Sequence, residues 1–178
     1  MIDSSSNSVA SFAWIGLGAN LGDPASALRR ALRALDDLPG VRLDAASPLF
    51  RTQPVGGPSQ PWYYNAAARI VTTHDPLTLL HQLQRLESLA GRDRSRETRW
   101  GPRLLDLDLL MHGAAILSLP ELILPHPRMH LRRFVLTPLA AIDPGLIHPI
   151  LASSIDTLLA AVEDPAHVEP LGPFRTPL

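Results

Sequence analysis

The pattern of apolar and polar positions in the first half of the chain predicts alternating strands and helices. A short apolar run at residues 12–18 ends in glycine and predicts a first strand. Two later segments carry leucine and alanine at helical spacing, and each follows an Asp-Pro pair, Asp23-Pro24 and Asp75-Pro76. Such a pair supplies an N-cap carboxylate and a first-turn proline. We expect these helices to end at Pro39-Gly40 and at Gly91.

Extended segments are expected between and after the two helices. Residues 41–51 predict a strand that Pro48 weakens, and residues 62–72 predict a strand rich in aromatic and β-branched side chains. The proline- and glycine-rich residues 52–61 predict the loop between them. Residues 104–112 predict a fourth strand. The order β-α-β-β-α-β is that of the ferredoxin-like fold, so the sequence predicts an α+β protein with a mostly antiparallel sheet and helices on one face.

The C-terminal third predicts helical additions to this core. Residues 121–124 are expected to be extended, and residues 133–142 and 154–163 predict helices. Four prolines after Asp164 favour an extended tail over residues 164–178. We expect one domain over residues 1–178, with residues 1–10 disordered.

A pair of aspartates is the sharpest chemical feature. Because side chains alternate along a strand, Asp106 and Asp108 share one face, and Leu105, Leu107 and Leu109 share the other. Two carboxylates on one face can bind a hard cation such as Mg²⁺. The alternative is that they merely line the solvent-exposed face of a half-buried strand.

The charge distribution favours a small anionic ligand. The formal net charge is −1, from 16 basic residues, all arginine, and 17 acidic ones. No global field therefore attracts nucleic acid or an anionic membrane. Five arginines nevertheless fall between Arg92 and Arg103 beside only two acids, a local charge of +3. Guanidinium groups next to a carboxylate pair are typical of sites that bind polyphosphate with a metal.

Composition excludes several classes of protein. The chain is 46% hydrophobic, too apolar for a disordered or collagen-like protein. It has no cysteine, so neither a disulfide nor a thiolate metal site is expected. No apolar run is long enough for a membrane helix, and residues 1–8 lack the features of a signal peptide. We therefore expect a cytoplasmic protein that binds no membrane and no nucleic acid.

The run RWGPRLLDLDLL at residues 99–110 resembles the signature of the hydroxymethyl-dihydropterin pyrophosphokinase family. Other parts of the chain resemble that family in the same order, and the likeness extends over residues 12–150. These parts are residues 15–22, 50–52, 63–67 and 124–129, followed by Arg132 and Phe134.

The resemblance implies transfer of the terminal diphosphate of ATP to the hydroxymethyl group of 6-hydroxymethyl-7,8-dihydropterin, with release of AMP, in folate biosynthesis. It implies ATP as co-substrate and two Mg²⁺ ions held by Asp106 and Asp108. The residues implied in catalysis are Arg92, Arg94, Arg103, Asp106 and Asp108. Those implied in ATP binding are Gln84, Arg92, Arg94, Arg103, His126 and Arg132. Those implied in pterin binding are Thr52, Val55, Tyr63, Asn65, Trp100 and Phe134.

The resemblance leaves some choices open. Arg94 and Arg96 are alternatives for one phosphate, because the arginine-rich loop is one residue longer here than in familiar members. We expect this charged loop, residues 91–100, to close over the phosphates. We also expect a monomer. Two other functions compete with the kinase, a non-catalytic nucleotide- or pterin-binding module and a metal-dependent phosphohydrolase.

Overall fold

The computed structural model describes residues 9–54, 59–92 and 101–174. The helices are α1 (Pro24–Asp36), α2 (Pro76–Leu89), α3 (Arg133–Ala140) and α4 (Ile155–Ala161), with a 3₁₀ turn at Met129–Leu131. The longer strands are β1 (Ser11–Ala19), β2 (Val41–Ala46), β3 (Leu49–Thr52), β4 (Tyr63–Thr72) and β5 (Asp106–His112). The shorter ones are β6 (Leu117–Ser118), β7 (Ile123–Leu124), β8 (Ile147–His148), β9 (Ser153–Ser154) and β10 (Val168–Gly172).

The main sheet has the strand order of the predicted fold. Its six strands run β10-β3-β4-β1-β5, with β2 also paired to β4, and every pair is antiparallel. The predicted ferredoxin-like α+β fold is confirmed. β6 with β7, and β8 with β9, form two small separate sheets.

The single strand predicted over residues 41–51 is two strands, β2 and β3, both paired with β4. The extended segment is interrupted at Ser47. The Ser47 N–H donates to the carbonyl of Ala67, and the Ser47 hydroxyl accepts the Ala67 N–H. Pro48, which follows, has no N–H to donate to a ladder. The aspartate pair therefore lies on the fifth strand of the chain instead of the fourth.

Both predicted Asp-Pro helix starts are confirmed. The Asp23 carboxylate accepts the Ser26 N–H at 3.1 Å, and the Asp75 carboxylate accepts the N–H groups of Leu77 and Thr78 at 3.0 and 3.1 Å. Gly91, expected just beyond α2, has a φ of +93°, which glycine adopts without strain. Local sequence signals therefore define where both helices begin.

Helices cover both faces of the sheet, and this corrects the expectation of helices on one face. α1 and α2 pack on the first face through fully buried leucines, Leu28, Leu32, Leu79 and Leu83. α3 and α4 pack on the second face, in a core made by Trp14, Leu110, Met111, Leu136, Leu139 and Ile155. The C-terminal helical additions are thus the second layer of the fold.

The ends of the chain depart from the expected pattern in detail. α3 and α4 are shorter than the predicted helices, and part of the expected tail, β10, pairs with β3 at the sheet edge. Most of the segment expected to be disordered, residues 1–8, lies outside the described residues. Within the described ranges, no helix is both long and apolar enough to cross a membrane.

Candidate active site

A cavity of about 470 Å³ lies on the second face of the sheet, beside the first turn of α3. Its floor is β1, where Gly16 and Gly18 have no side chains. Across the ladder Gly16 faces Asp108, and Gly18 faces both Asp106 and Asn65. The missing side chains therefore leave a trough with two carboxylates along one side and an amide along the other.

The aspartates lie as the alternation predicted. Leu107 and Leu109 are buried under α1 and α2 on the first face of the sheet, while Asp106 and Asp108 border the cavity. Arg92 and Arg103 both contact Asp106, with nitrogen to oxygen distances of 2.5 and 2.8 Å. Burial, aided by the negative charge of Asp106, raises the pKa of Asp108 to about 6. The site thus combines clustered acids with guanidinium groups that neutralise them.

Four of the predicted pterin-binding residues line the same cavity as the aspartates: Thr52, Tyr63, Asn65 and Phe134. The buried amide of Asn65 donates to the hydroxyl of Thr52 at 2.8 Å, which fixes its orientation. The Tyr63 hydroxyl donates to the carbonyl of Gly101 at 2.8 Å. Phe134, in the first turn of α3, faces the same cavity. Aromatic rings and an oriented amide are the groups that can bind a planar heterocycle.

His126 and Arg132, both predicted to bind ATP, line the same cavity. Burial, together with the positive charge of Arg132, lowers the pKa of His126 to about 4, so the ring is neutral at pH 7. Its Nδ1 atom lies 3.2 Å from the Arg128 N–H and accepts it, which leaves the proton on Nε2. Burial also lowers the pKa of Arg132. Two other predicted ATP contacts, Gln84 on α2 and Arg92 beyond its end, are not among the residues that line this cavity.

Comparison with known proteins identifies the family. Residues 14–144 match the model of the 7,8-dihydro-6-hydroxymethylpterin-pyrophosphokinase (HPPK) family. This chain belongs to the HPPK family. A 2-amino-4-hydroxy-6-hydroxymethyldihydropteridine pyrophosphokinase of Pseudomonas aeruginosa is 45% identical over 136 residues, 76% of this chain and 83% of the relative. Another of the same name, from Bacillus subtilis, is 42% identical over 130 residues, 73% of this chain and 77% of that one.

Solved structures support the fold of this HPPK chain. A crystal structure of Plasmodium falciparum HPPK-DHPS A437G with STZ-DHP matches the fold with a TM-score of 0.69 at 15% sequence identity. The match covers 88% of this chain but 46% of that longer one. The wild-type HPPK-DHPS with pterin and p-hydroxybenzoate gives the same TM-score, with 44% of its chain covered. At this identity the likeness concerns the fold alone.

The acids of the HPPK site suit a magnesium ion. Asp106 and Asp108 project from one face of β5 into the cavity and offer hard oxygen ligands. Among the described residues no group of three or more His, Cys, Asp or Glu side chains could hold a metal. Magnesium is commonly bound by one or two carboxylates, with phosphate oxygens and water as the other ligands. Two carboxylates at the edge of an open cavity match that requirement.

Glu87 is a site residue that the sequence reasoning missed. It lies on α2 with 1% of its side chain exposed, accepts the Leu107 N–H at 2.8 Å and forms an ion pair with Arg92. The spacing contained the signal, because Glu87 follows Leu79 and Leu83 at intervals of four on the buried face of the helix. A carboxylate on an apolar face requires a buried partner.

Asn20 was also missed. Its buried amide donates to the side chain of Gln60 and the carbonyl of Pro61, each at 3.1 Å. The Asn20 side-chain oxygen accepts the backbone N–H of Arg103 at 2.7 Å. The backbone N–H of Asn20 donates in turn to the backbone carbonyl of Arg103 at 2.9 Å. Asn20 therefore joins the end of β1 to the segment that presents Arg103.

Three predicted site residues, Val55, Arg94 and Trp100, lie outside the described residues, as does Arg96. The expectation that residues 91–100 close over the phosphates also concerns residues mostly outside that description. These assignments remain predictions.

Proposed function

We propose that this chain transfers the terminal diphosphate of ATP to the hydroxymethyl group of 6-hydroxymethyl-7,8-dihydropterin, releasing AMP, as a step of folate biosynthesis. Membership of the HPPK family and the names of relatives above 40% identity support this activity. The observation that carries the proposal is that Asp106 and Asp108 border the same cavity as the oriented Asn65 amide. A metal triphosphate and a heterocycle could thus occupy one site side by side.

We assign the phosphate side of the reaction to the acids and arginines. Asp106 and Asp108 would hold two Mg²⁺ ions, which supply charge neutralisation to the triphosphate. Arg92, Arg94 and Arg103 would contact phosphate oxygens and stabilise the charge that develops during transfer. Arg132 would bind phosphate, and Gln84 would contact ATP. His126 would donate a hydrogen bond from its Nε2–H to the nucleotide. The reaction then needs positioning and charge neutralisation more than a covalent step.

We assign the acceptor side to the opposite wall. Tyr63 and Phe134 would stack on the two faces of the pterin ring, because both aromatic side chains line the cavity. Asn65 and the backbone at Thr52 and Val55 would hydrogen-bond its polar edge. Trp100 would close over it.

We propose further that residues 1–178 form one pyrophosphokinase domain that acts as a monomer in the cytoplasm. The return of β10 to the main sheet supports the single domain. The requirement for ATP as co-substrate supports the location.

The nucleotide product tests the reaction. Wild-type protein supplied with ATP, the pterin alcohol and Mg²⁺ should release AMP, and release should require all three. ADP as the product would refute the proposal. Inorganic phosphate released without the alcohol would indicate a phosphohydrolase, and tight ATP binding without turnover would indicate a binding module.

The aspartates test the assignment of the site. Asp106→Ala and Asp108→Ala should each lower kcat by at least about 100-fold, since one electrostatic group at a transition state is often worth about 3 kcal/mol. Asp156→Asn, an exposed acid in the first turn of α4, is the matched control and should retain wild-type turnover. Near-normal turnover in either alanine variant would contradict the metal assignment.

A further inference from the structure

The N-terminus of α3 carries two residues assigned to the reaction, and its own sequence is poorly suited to start a helix. Arg132 occupies the N-cap position and makes no capping hydrogen bond with its side chain, and Arg133 follows it. Cations there oppose the helix dipole, and the first N–H groups of a helix need acceptors. This helix start therefore depends on a carboxylate from elsewhere in the chain.

Asp164 supplies that carboxylate. Its Oδ2 atom accepts the Arg133 N–H at 2.8 Å, and its Oδ1 atom accepts the N–H of Ala166 at 2.9 Å. The Arg133 side chain donates in return to the carbonyls of Asp164 and Val162, at 3.1 and 2.8 Å. The Asp164 carboxylate thus caps the first turn of α3 with one oxygen and holds a turn of its own segment with the other.

The residues on either side of Arg133 face the active site. Arg132 and Phe134 both line the cavity, and so does Asp164. The Arg132 guanidinium carbon lies 5.4 Å from the centre of the Phe134 ring, so the two side chains lie together on this rim. A shift of the first turn of α3 would therefore move a phosphate contact and a pterin contact at once.

The segment that contains Asp164 continues into β10, which pairs with β3, the strand that carries Thr52. The Gln53 N–H donates to the carbonyl of His167 at 3.1 Å, and Val168 pairs with Thr52 in the ladder between β10 and β3. Arg51 and Glu169 add an ion pair across the same two strands. The C-terminal partners in these contacts, from Asp164 to Glu169, lie beyond residue 144, where the match to the family model ends.

We propose that Asp164 is a positioning residue that fixes the first turn of α3, so that Arg132 and Phe134 face ATP and the pterin. The inference rests on the proposed function for the roles of those two residues, whereas the capping contact stands on the geometry alone. Asp164 itself does not need to touch either substrate.

Three variants test the proposal. Asp164→Ala removes both acceptors. Asp164→Asn keeps one acceptor oxygen for the two N–H groups and should give an intermediate effect. If the alanine variant does not fold, the asparagine variant replaces it in the measurements below. Glu163→Gln, a change at the exposed neighbouring acid, is the matched control.

Hydrogen exchange tests the cap without any substrate. Peptides that cover residues 131–137 should exchange faster in Asp164→Ala than in the wild type or in Glu163→Gln. Exchange in α1 should be the same in all of them. Unchanged exchange at residues 131–137 in the folded alanine variant would overturn the capping role.

Steady-state kinetics test the positioning role. KM for the pterin and for ATP should rise about fivefold in Asp164→Ala, the factor that corresponds to the stability that one helix cap contributes. A lower kcat with both KM values unchanged, as from a reduced fraction of folded enzyme, would overturn the proposal. Wild-type protein that forms no AMP would instead refute the proposed function, and the exchange result would still decide whether Asp164 caps α3.

Discussion

At the scale of single residues, the absence of side chains on β1 shapes the site as much as the acids do. Gly16 and Gly18 lie in the middle of the sheet, between the carboxylates of β5 and the amide on β4. A Cβ atom built at Gly18 would lie 3.3 Å from the Asn65 side-chain oxygen and 3.9 Å from the Cβ atom of Asp106. Asn65 is buried and held by Thr52, so it has little freedom to move away.

Gly18→Ala should therefore weaken pterin binding more than it weakens ATP binding. A displacement of Asn65 by a few tenths of an ångström should raise KM for the pterin about tenfold, because small misplacements at a reacting site are costly. Gly145→Ala is the control, since among the described residues no atom lies within 4 Å of a Cβ there. Steady-state kinetics with each substrate varied in turn provide the measurement. An equal rise in both KM values would count against a local effect on Asn65.

At the scale of elements, the ion pair between Glu87 and Arg92 joins α2 to the strand that carries the acids. Both side chains are almost fully buried, with 1% and 6% exposed, and Glu87 also accepts a backbone N–H of β5. Buried charges of this kind add little net stability over apolar residues, but the loss of one partner is costly. The pair therefore determines where Arg92 lies relative to Asp106.

Glu87→Ala should lower the free energy of unfolding by about 3 kcal/mol, because Arg92 and the Leu107 N–H lose a buried acceptor. Glu121→Ala is the contrasting variant. Glu121 pairs with His81 on the surface, where both side chains are more than half exposed, and the change should cost less than about 1 kcal/mol. Urea unfolding of both variants beside the wild type provides the measurement. Similar losses in the two variants would contradict the buried role of Glu87.

At the scale of the whole molecule, a buried histidine makes stability depend on pH. His148 on β8 is buried, and its ring lies edge-on to that of His130 with 5.8 Å between ring centres. Burial, with the positive charge that His130 can carry, lowers the pKa of His148. At a pH just below the ordinary histidine pKa, His148 therefore binds a proton in the unfolded chain but not in the folded chain. The contribution of His148 to stability is therefore complete above the ordinary histidine pKa of about 6.5 and is lost as the pH falls below it.

His148→Asn should reduce this pH dependence. Asparagine keeps an acceptor for the Leu151 N–H, which His148 Nδ1 binds at 3.2 Å, and it cannot be protonated. The free energy of unfolding should fall less between pH 7 and pH 5 in the variant than in the wild type. His126, whose pKa is also lowered, contributes in the same direction to both proteins and cancels in the comparison. Equal slopes, measured by urea unfolding at the two pH values, would contradict the role of His148.

The sequence alone determined the features that depend on neighbours along the chain. Asp23 and Asp75 cap helices whose N–H groups lie two or three residues away, and the shared face of Asp106 and Asp108 follows from strand alternation. Local stereochemistry decides both, so the helix starts and the acid pair could be predicted. The family followed from the likeness of residues 99–110 to its signature.

Only the tertiary structure decided which distant groups meet. The contact of Asn20 with Arg103 spans 83 residues and that of Asp164 with Arg133 spans 31, and neither leaves a periodic pattern in the sequence. The packing of α3 and α4 on the second face, beside the cavity, depends likewise on the assembled sheet. Such contacts form where the folded chain places a donor beside an acceptor, and the spacing of residues along the chain carries no record of that placement.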